Sequence, residues 1–286
     1  MLLVFLLLTG VVFSLYFVTR TKYEDIMRTV DEKEYAMKRF FPISLYILEL
    51  VDYKYSFKYD RIITGKVSEL YGNRYSHIFL KIHWANKVSF MIIALLFAFL
   101  LGACTEPDLS MAVFGVIIIC AAFIIPDREL SEKVKKRRIS IQLDFPDFIN
   151  KLILLVNAGM TVSRAWEKIV ADNTKDGHIY KELETALFDI RAGKSEIQAY
   201  EDFARRCRVP QVTKFVSVVI QNIRKGNSEL IPILRLQAND CWEMRKNTAK
   251  KLGEEASTKM LIPMMIMFIA ILIIVAVPAI LAMRGI

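Results

Sequence analysis

The chain has 286 residues, 54% of them hydrophobic and 24% charged, with a net charge of +9 and a mean hydropathy of +0.34. That apolar content exceeds the roughly 45–50% of a soluble protein, while 11 glycines and 8 prolines are too few for a low-complexity chain. Four cysteines without CxxC spacing (Cys104, Cys120, Cys207 and Cys241) argue against a disulfide framework or a zinc site, which leaves a membrane protein.

Residues 2–18 form the first uncharged run. No base precedes it and no A-x-A site follows, so residues 1–19 read as an uncleaved anchor rather than a signal peptide. Residues 20–87 are polar, with 13 Lys and Arg against 9 acids and eight of the eleven tyrosines. Tyr53, Tyr55, Phe57 and Tyr59 alternate with Lys54, Ser56, Lys58 and Asp60, a locally strand-like period. The segment as a whole reads as mainly helical. Bases interleaved with aromatics also line single-stranded nucleic-acid sites. Here acids are mixed in and Arg and Gly are sparse, so aromatic packing is the preferred reading and no nucleic-acid partner is expected. Residues 88–105 and 109–126 are uncharged and separated by Glu106, Pro107 and Asp108, which predicts a transmembrane hairpin over 88–126.

Residues 127–259 open near the basic run Lys133-Val134-Lys135-Lys136-Arg137-Arg138, a topology signal beside anionic headgroups. Helical grammar follows. Phe145, Phe148, Ile149, Leu152, Leu155 and Val156 share one face, with Asp144 as cap and Pro146 in the first turn. Gly159 ends that helix. Val162, Ala165, Trp166 and Ile169 mark a second, and Leu183, Ala186, Leu187 and Ile190 a third that ends at Gly193. Ser195 and Gln198 make a capping box for a fourth. Val212, Phe215, Val216, Val219 and Ile223 form a fifth, closed by Gly226, and a sixth begins near Ser228 with Leu234, Ala238, Cys241 and Trp242 on its stripe. The recurring Gly159-Met160-Thr161, Gly193-Lys194-Ser195 and Gly226-Asn227-Ser228 read as helix punctuation, because the tetratricopeptide consensus is missing. The expected fold is all-α: a multi-pass helical membrane protein with a cytoplasmic six-helix bundle, completed by a transmembrane helix over 260–283.

The charge distribution orients it. The second polar segment has 25 Lys and Arg against 19 acids, whereas the hairpin loop has two acids and no base. The positive-inside rule puts 20–87 and 127–259 in the cytoplasm and both termini outside.

Chemistry is sparse. Gly193-Lys194-Ser195 lacks the earlier glycine of a P-loop, where Phe188 stands, so no ATP binding is expected. His77, His83 and His178 lack metal-ligand spacing, no nucleophile motif is present, and the uncharged spans mark no ion path. The expectation is a non-enzyme without cofactor or metal. Arg205, Arg206 and Arg208 are the densest basic cluster and the candidate partner surface. From residue 243 to 259 the sequence is polar nearly all round. With Lys251 and Glu255, and Glu255 and Lys259, at i,i+4 spacing, this predicts a nearly continuous helix joining bundle to membrane. Gly253 is its weak point, and Pro263 its entry kink. Lys251, Gly253, Glu254, Glu255, Lys259 and Pro263 are the candidate coupling residues.

These residues carry a resemblance. Asp147-Phe148, Ala158-Gly159-Met160-Thr161 with Ala165, Arg191-Ala192-Gly193-Lys194-Ser195 with Ala199, and Glu254-Glu255-Ala256-Ser257-Thr258-Lys259-Met260-Leu261-Ile262-Pro263 with Pro278 resemble the F domain of type II secretion and type IV pilus machinery. The likeness covers about residues 140–280. Leu70-Tyr71-Gly72 and Trp84-Ala85 with Lys87 resemble the C-type platform proteins of tight-adherence (Tad/Flp) pili, which carry one F domain. The resemblance implies a non-enzymatic platform in the bacterial inner membrane. Its implied partners are a secretion ATPase, pilin subunits, and a second F-domain platform protein or another copy of itself. The alternative is a membrane-anchored receptor or regulator whose helical domain binds a cytoplasmic protein. A pilin and an ATPase encoded next door separate the two.

Overall fold

The computed structural model describes residues 2–19, 22–23, 37–51, 58–73, 75–104, 109–225 and 230–283. Among these residues every regular element is helical. In chain order they are α1 (Leu2–Thr19), a 3-10 turn (Lys38–Phe40), α2 (Phe41–Leu50), α3 (Lys58–Tyr71), α4 (Ser76–Cys104), α5 (Leu109–Asn157), α6 (Val162–Ala171), α7 (His178–Arg191), α8 (Glu196–Cys207), α9 (Pro210–Lys225) and α10 (Leu230–Met283). Among the described residues, two helical stretches are long and apolar enough to cross a membrane, Ser76–Gly102 and Leu230–Ile280. The alternation over 53–57, the hairpin loop 106–108 and the Gly226-Asn227-Ser228 punctuation lie outside the described residues. The chain divides into two compact units, Met1–Arg137 and Arg138–Ile286.

In the first unit α4 is the common partner. Phe41 and Leu45 of α2 pack on Ile82 and Ala85 of α4. The close approach is finished by a 2.8 Å hydrogen bond between the buried hydroxyls of Ser44 and Ser89. On α3, Ile63 and Val67 bury against Leu80 of α4 and Leu130 of α5. Gly72 closes α3 in the left-handed region (φ +82°), and Tyr71 stacks on Phe79 with ring centroids 3.7 Å apart. The Leu70-Tyr71-Gly72 motif is thus a helix stop that turns the chain into α4.

The second unit has one core, built by α5 to α10 around Trp166. The indole ring lies 5.1 Å from Phe148, 4.7 Å from Tyr200 and 5.1 Å from Phe203. Its Nε1–H donates to the Leu183 carbonyl at 3.2 Å, so one side chain ties four helices by packing and a satisfied polar tip. Burial pushes the Tyr200 phenol up to about 12, as expected of a core tyrosine.

Two glycines delimit the helices by the same device. Gly159 donates to the Val156 carbonyl and Met160 to Leu155, while Gly193 donates to Ile190 and Lys194 to Asp189. Both glycines have positive φ, +92° and +94°, and each makes a Schellman stop. Thr161 and Ser195 then cap the next helices, their hydroxyls accepting from the N–H groups of Arg164 and Gln198. Gly193→Ala has no steric neighbour to strike, yet a Cβ in the left-handed region costs about 1 kcal/mol. A drop of that size in chemical stability, followed by tryptophan fluorescence, is the expected result.

Two details differ from the sequence reading. Asp144 does not start a helix and Pro146 does not sit in a first turn, because α5 runs on through both. Ile141, one turn ahead of Phe145, is already fully buried in the same core, so the apolar stripe leaves no place for a break. Asp144 instead lies beside Gly177, the N-cap of α7, 3.0 Å from where a Cβ on that glycine would be. Trp242 is also not on the buried stripe of α10. Leu234, Ala238 and Cys241 are buried, but Trp242 is 54% exposed, with Arg245 over its ring at 5.1 Å. One residue past Cys241 is about 100° round the helix, which carries the indole off the core face.

Candidate functional site

The three arginines at the end of α8 have three different environments. Arg206 is 29% exposed and clamped, with Nε 2.6 Å from Glu182 and NH1 3.3 Å from Asp189. Arg208 is exposed and serves as the C-cap of α8, with φ +51°, donating its N–H to Ala204. In the Val209-Pro210 step that follows, the residue before proline, Val209, avoids the helical region, so α8 cannot continue past this turn. Arg205 alone is 77% exposed, 3.5 Å from Asp202 one turn back. Asp202 is held mainly by Lys194, which also reaches Asp189 at 3.5 Å. The Lys194 hydrogen bond keeps the Asp202 carboxyl below its ordinary range. The predicted cluster therefore divides into two exposed arginines, Arg205 and the capping Arg208, and one clamped in an ion network that fastens α7 to α8. Arg206→Ala is expected to destabilise the unit by about 1 kcal/mol, and Arg205→Ala to leave stability unchanged, as thermal unfolding of the two variants will show.

The coupling residues all lie on α10, which continues without interruption to Met283. At about 1.5 Å per residue, its 54 residues extend about 80 Å. Arg245 is the last strong tie to the core helices, 2.8 Å from Asp147. Burial would raise the Asp147 carboxyl, but hydrogen bonds from Lys175 and Arg245 outweigh it and hold the group low. Beyond this point the helix is exposed nearly all round, with Lys251, Gly253, Glu254 and Lys259 in the open and Glu255 half-buried. Lys250 and Glu254 form an i,i+4 pair at 4.0 Å. Gly253 has nothing within 4 Å of a would-be Cβ, so no packing contact requires a glycine there. Pro263 stands inside the helix and removes the hydrogen bond to the Lys259 carbonyl. Gly253, Pro263 and Pro278 are thus the soft points of the rod.

Sequence reading missed a buried charge cluster in the first unit. Lys87 is fully buried and lies inside the apolar stretch Ser76–Gly102, because α4 begins well ahead of residue 88. Its Nζ donates to Asp127 at 2.8 Å and to the Tyr59 hydroxyl at 2.5 Å, and lies 3.6 Å from the Phe123 ring centroid. His83 Nε2 is 3.0 Å from the other Asp127 oxygen, and Trp84 donates to Asp60 at 3.0 Å. Trp84 and Lys87 of the sequence motif are thus both parts of one polar lock between α3, α4 and α5. A readable signal existed. Lys87 immediately precedes the apolar hairpin and Asp127 immediately follows it, so antiparallel helices must bring them together. The pairing is consistent higher up, where a Cβ on Gly115 would lie 3.6 Å from that of Ala98. Among the described residues no group of three His, Cys, Asp or Glu side chains forms a metal site.

Residues 148–278 match the family model of the type II secretion system (T2SS), protein F. The match takes in the Trp166 core, both Schellman stops, the Arg206 network and α10 as far as Pro278. This region is similar to an F domain, and such domains are found in non-catalytic membrane platform proteins of secretion and pilus machinery. No curated protein and no solved structure matches the chain. The Lys87 lock lies outside the F-like region and belongs to what precedes it.

Proposed function

We propose that the protein is a non-enzymatic inner-membrane platform of a pilus-assembly or type II secretion machine, coupling a cytoplasmic secretion ATPase to the extraction of pilin. The observation that carries the reading is the continuity of α10. The F-like core runs straight into a helix that leaves it, crosses a polar stretch and becomes apolar, with no loop between. A rod of this kind passes displacement from a bundle to a membrane segment, whereas a loop would only tether it. The Leu70-Tyr71-Gly72 and Trp84-Ala85-Asn86-Lys87 segments favour the C-type platform of tight-adherence pili. The charge asymmetry favours four spans, two cytoplasmic segments and both termini outside.

The test is purification of the full chain from its native host, with the co-purifying proteins screened for a secretion ATPase and a pilin, together with reporter fusions. The ATPase is expected to co-purify. Fusions at residue 108 and after Ile286 are expected to report external positions, and fusions near residues 60 and 200 internal ones. Absence of the ATPase from the purified complex, or an internal C-terminus, overturns the reading.

A further inference from the structure

Between α8 and α9 lies an open groove of about 620 Å³. Its floor is apolar, made by Ala204, Val216 and Ile220, all buried. Thr213 and Ser217 stand on its α9 side, but their hydroxyls donate to their own helix, to the carbonyls of Val209 and Thr213. These side chains therefore present carbon rather than polar atoms to the groove. From Thr213 to Arg224 the α9 wall rises about 16 Å, some three helical turns.

The groove's charge is asymmetric. Arg205 and Arg224 line it, against the single acid Glu201. Arg224 is exposed and makes no ion pair among the described residues. Among the described residues Arg205 is paired only with Asp202, at 3.5 Å, and Asp202 is independently held by Lys194. Arg205 can therefore exchange its partner for an incoming carboxylate without leaving a charge stranded. Arg206, clamped by Glu182 and Asp189 on two sides, cannot. The neighbouring arginines thus divide into one that builds the domain and one that is available.

We infer that this groove is the docking site for an acidic amphipathic helix of the cytoplasmic partner, apolar side down on Ala204, Val216 and Ile220, with carboxylates to Arg205 and Arg224. The inference rests on the platform reading above and gives its partner surface an address. A helix seated in an apolar groove is fixed by its floor contacts, while the two flanking charges set register and salt sensitivity.

The test uses the full chain in native membranes, with a photo-crosslinking residue at the exposed groove position Ser217 or, as a control outside the groove lining, at the exposed Phe188 of α7. The secretion ATPase of the native host is the probe. The expected result is an ATPase adduct from position 217 whose cross-linked peptide is an acidic amphipathic helix. Charge reversal by Arg205→Glu and Arg224→Glu should then cut ATPase affinity about tenfold at low salt, with a smaller effect at high salt. Arg205→Lys should retain most binding, and thermal unfolding should show each variant folded. ATPase adducts from position 188 alone overturn the groove while leaving the platform reading intact, and so does an adduct between two copies of this chain through position 217. If neither position yields an ATPase adduct and the ATPase does not co-purify, the platform reading falls with it.

Discussion

Lys87→Met should lower the stability of the first unit by about 3 kcal/mol, the low end for breaking a buried ion pair. The methionine fills much the same volume, so the loss is electrostatic. It leaves Asp127, three-quarters buried, facing His83 without its principal cation. The double variant Lys87→Met/Asp127→Asn removes both charges and should recover most of the loss, because a neutral pair no longer carries an unpaired ion into a water-poor site. The pH dependence has a definite sign. Burial would raise the Asp127 carboxyl, but hydrogen bonds from Lys87, Tyr59 and His83 hold it below its ordinary value of 3.8. A depressed carboxyl contributes stability that is fully present above 3.8 and is lost as the pH falls through its lower folded value. The wild type should therefore lose this increment in acid, and the double variant should not. Unfolding midpoints in detergent, measured from neutral pH to about pH 3, check both statements. A single variant as stable as the wild type would show that the lock contributes nothing.

On the proposed platform role, a short Gly-Ser insertion beside Gly253 should abolish pilus assembly while leaving membrane insertion and ATPase binding unchanged. The reason is mechanical. Between Arg245 and the apolar stretch, α10 is exposed nearly all round, so little tertiary packing restores its direction once the backbone hydrogen bonds are broken. Gly253→Ala is the opposite perturbation. With open space around it, the alanine removes a helix weakness of about 1 kcal/mol, and assembly should be retained. Normal assembly with the flexible insertion would reduce the last helix to an anchor.

Much of the second unit is readable from sequence because its determinants are local. Schellman stops at Gly159 and Gly193 need one residue that tolerates positive φ, and caps at Thr161 and Ser195 need one oxygen within three residues. Both requirements are visible in a few letters of sequence. The stripe of Phe145, Phe148, Ile149 and Leu152 likewise announces a helix face. The start of that helix was not visible. Asp144 and Pro146 satisfy every local rule for a first turn, and only the burial of Ile141 shows that the core extends past them.

The candidate sites divide along the same line. Arg205, Arg206 and Arg208 form one basic cluster in sequence. Their separation into an available charge, a clamped charge and a backbone cap depends on Glu182 and Asp189, which another helix brings to the end of α8. Trp242 reads as a core residue and lies in the open, since the far side of α10 there has no neighbour to bury it.

By itself the sequence determined the helix stops at Gly159 and Gly193, the caps at Thr161 and Ser195, the apolar stretches and the unbroken helical character of α10, because each follows from hydrogen bonds and side-chain spacing within a few residues. The tertiary structure decided which charges are buried and which are free. Lys87 and Asp127 are 40 residues apart, and whether such groups meet depends on which helix faces pack together, a property of contacts between elements rather than of either element alone.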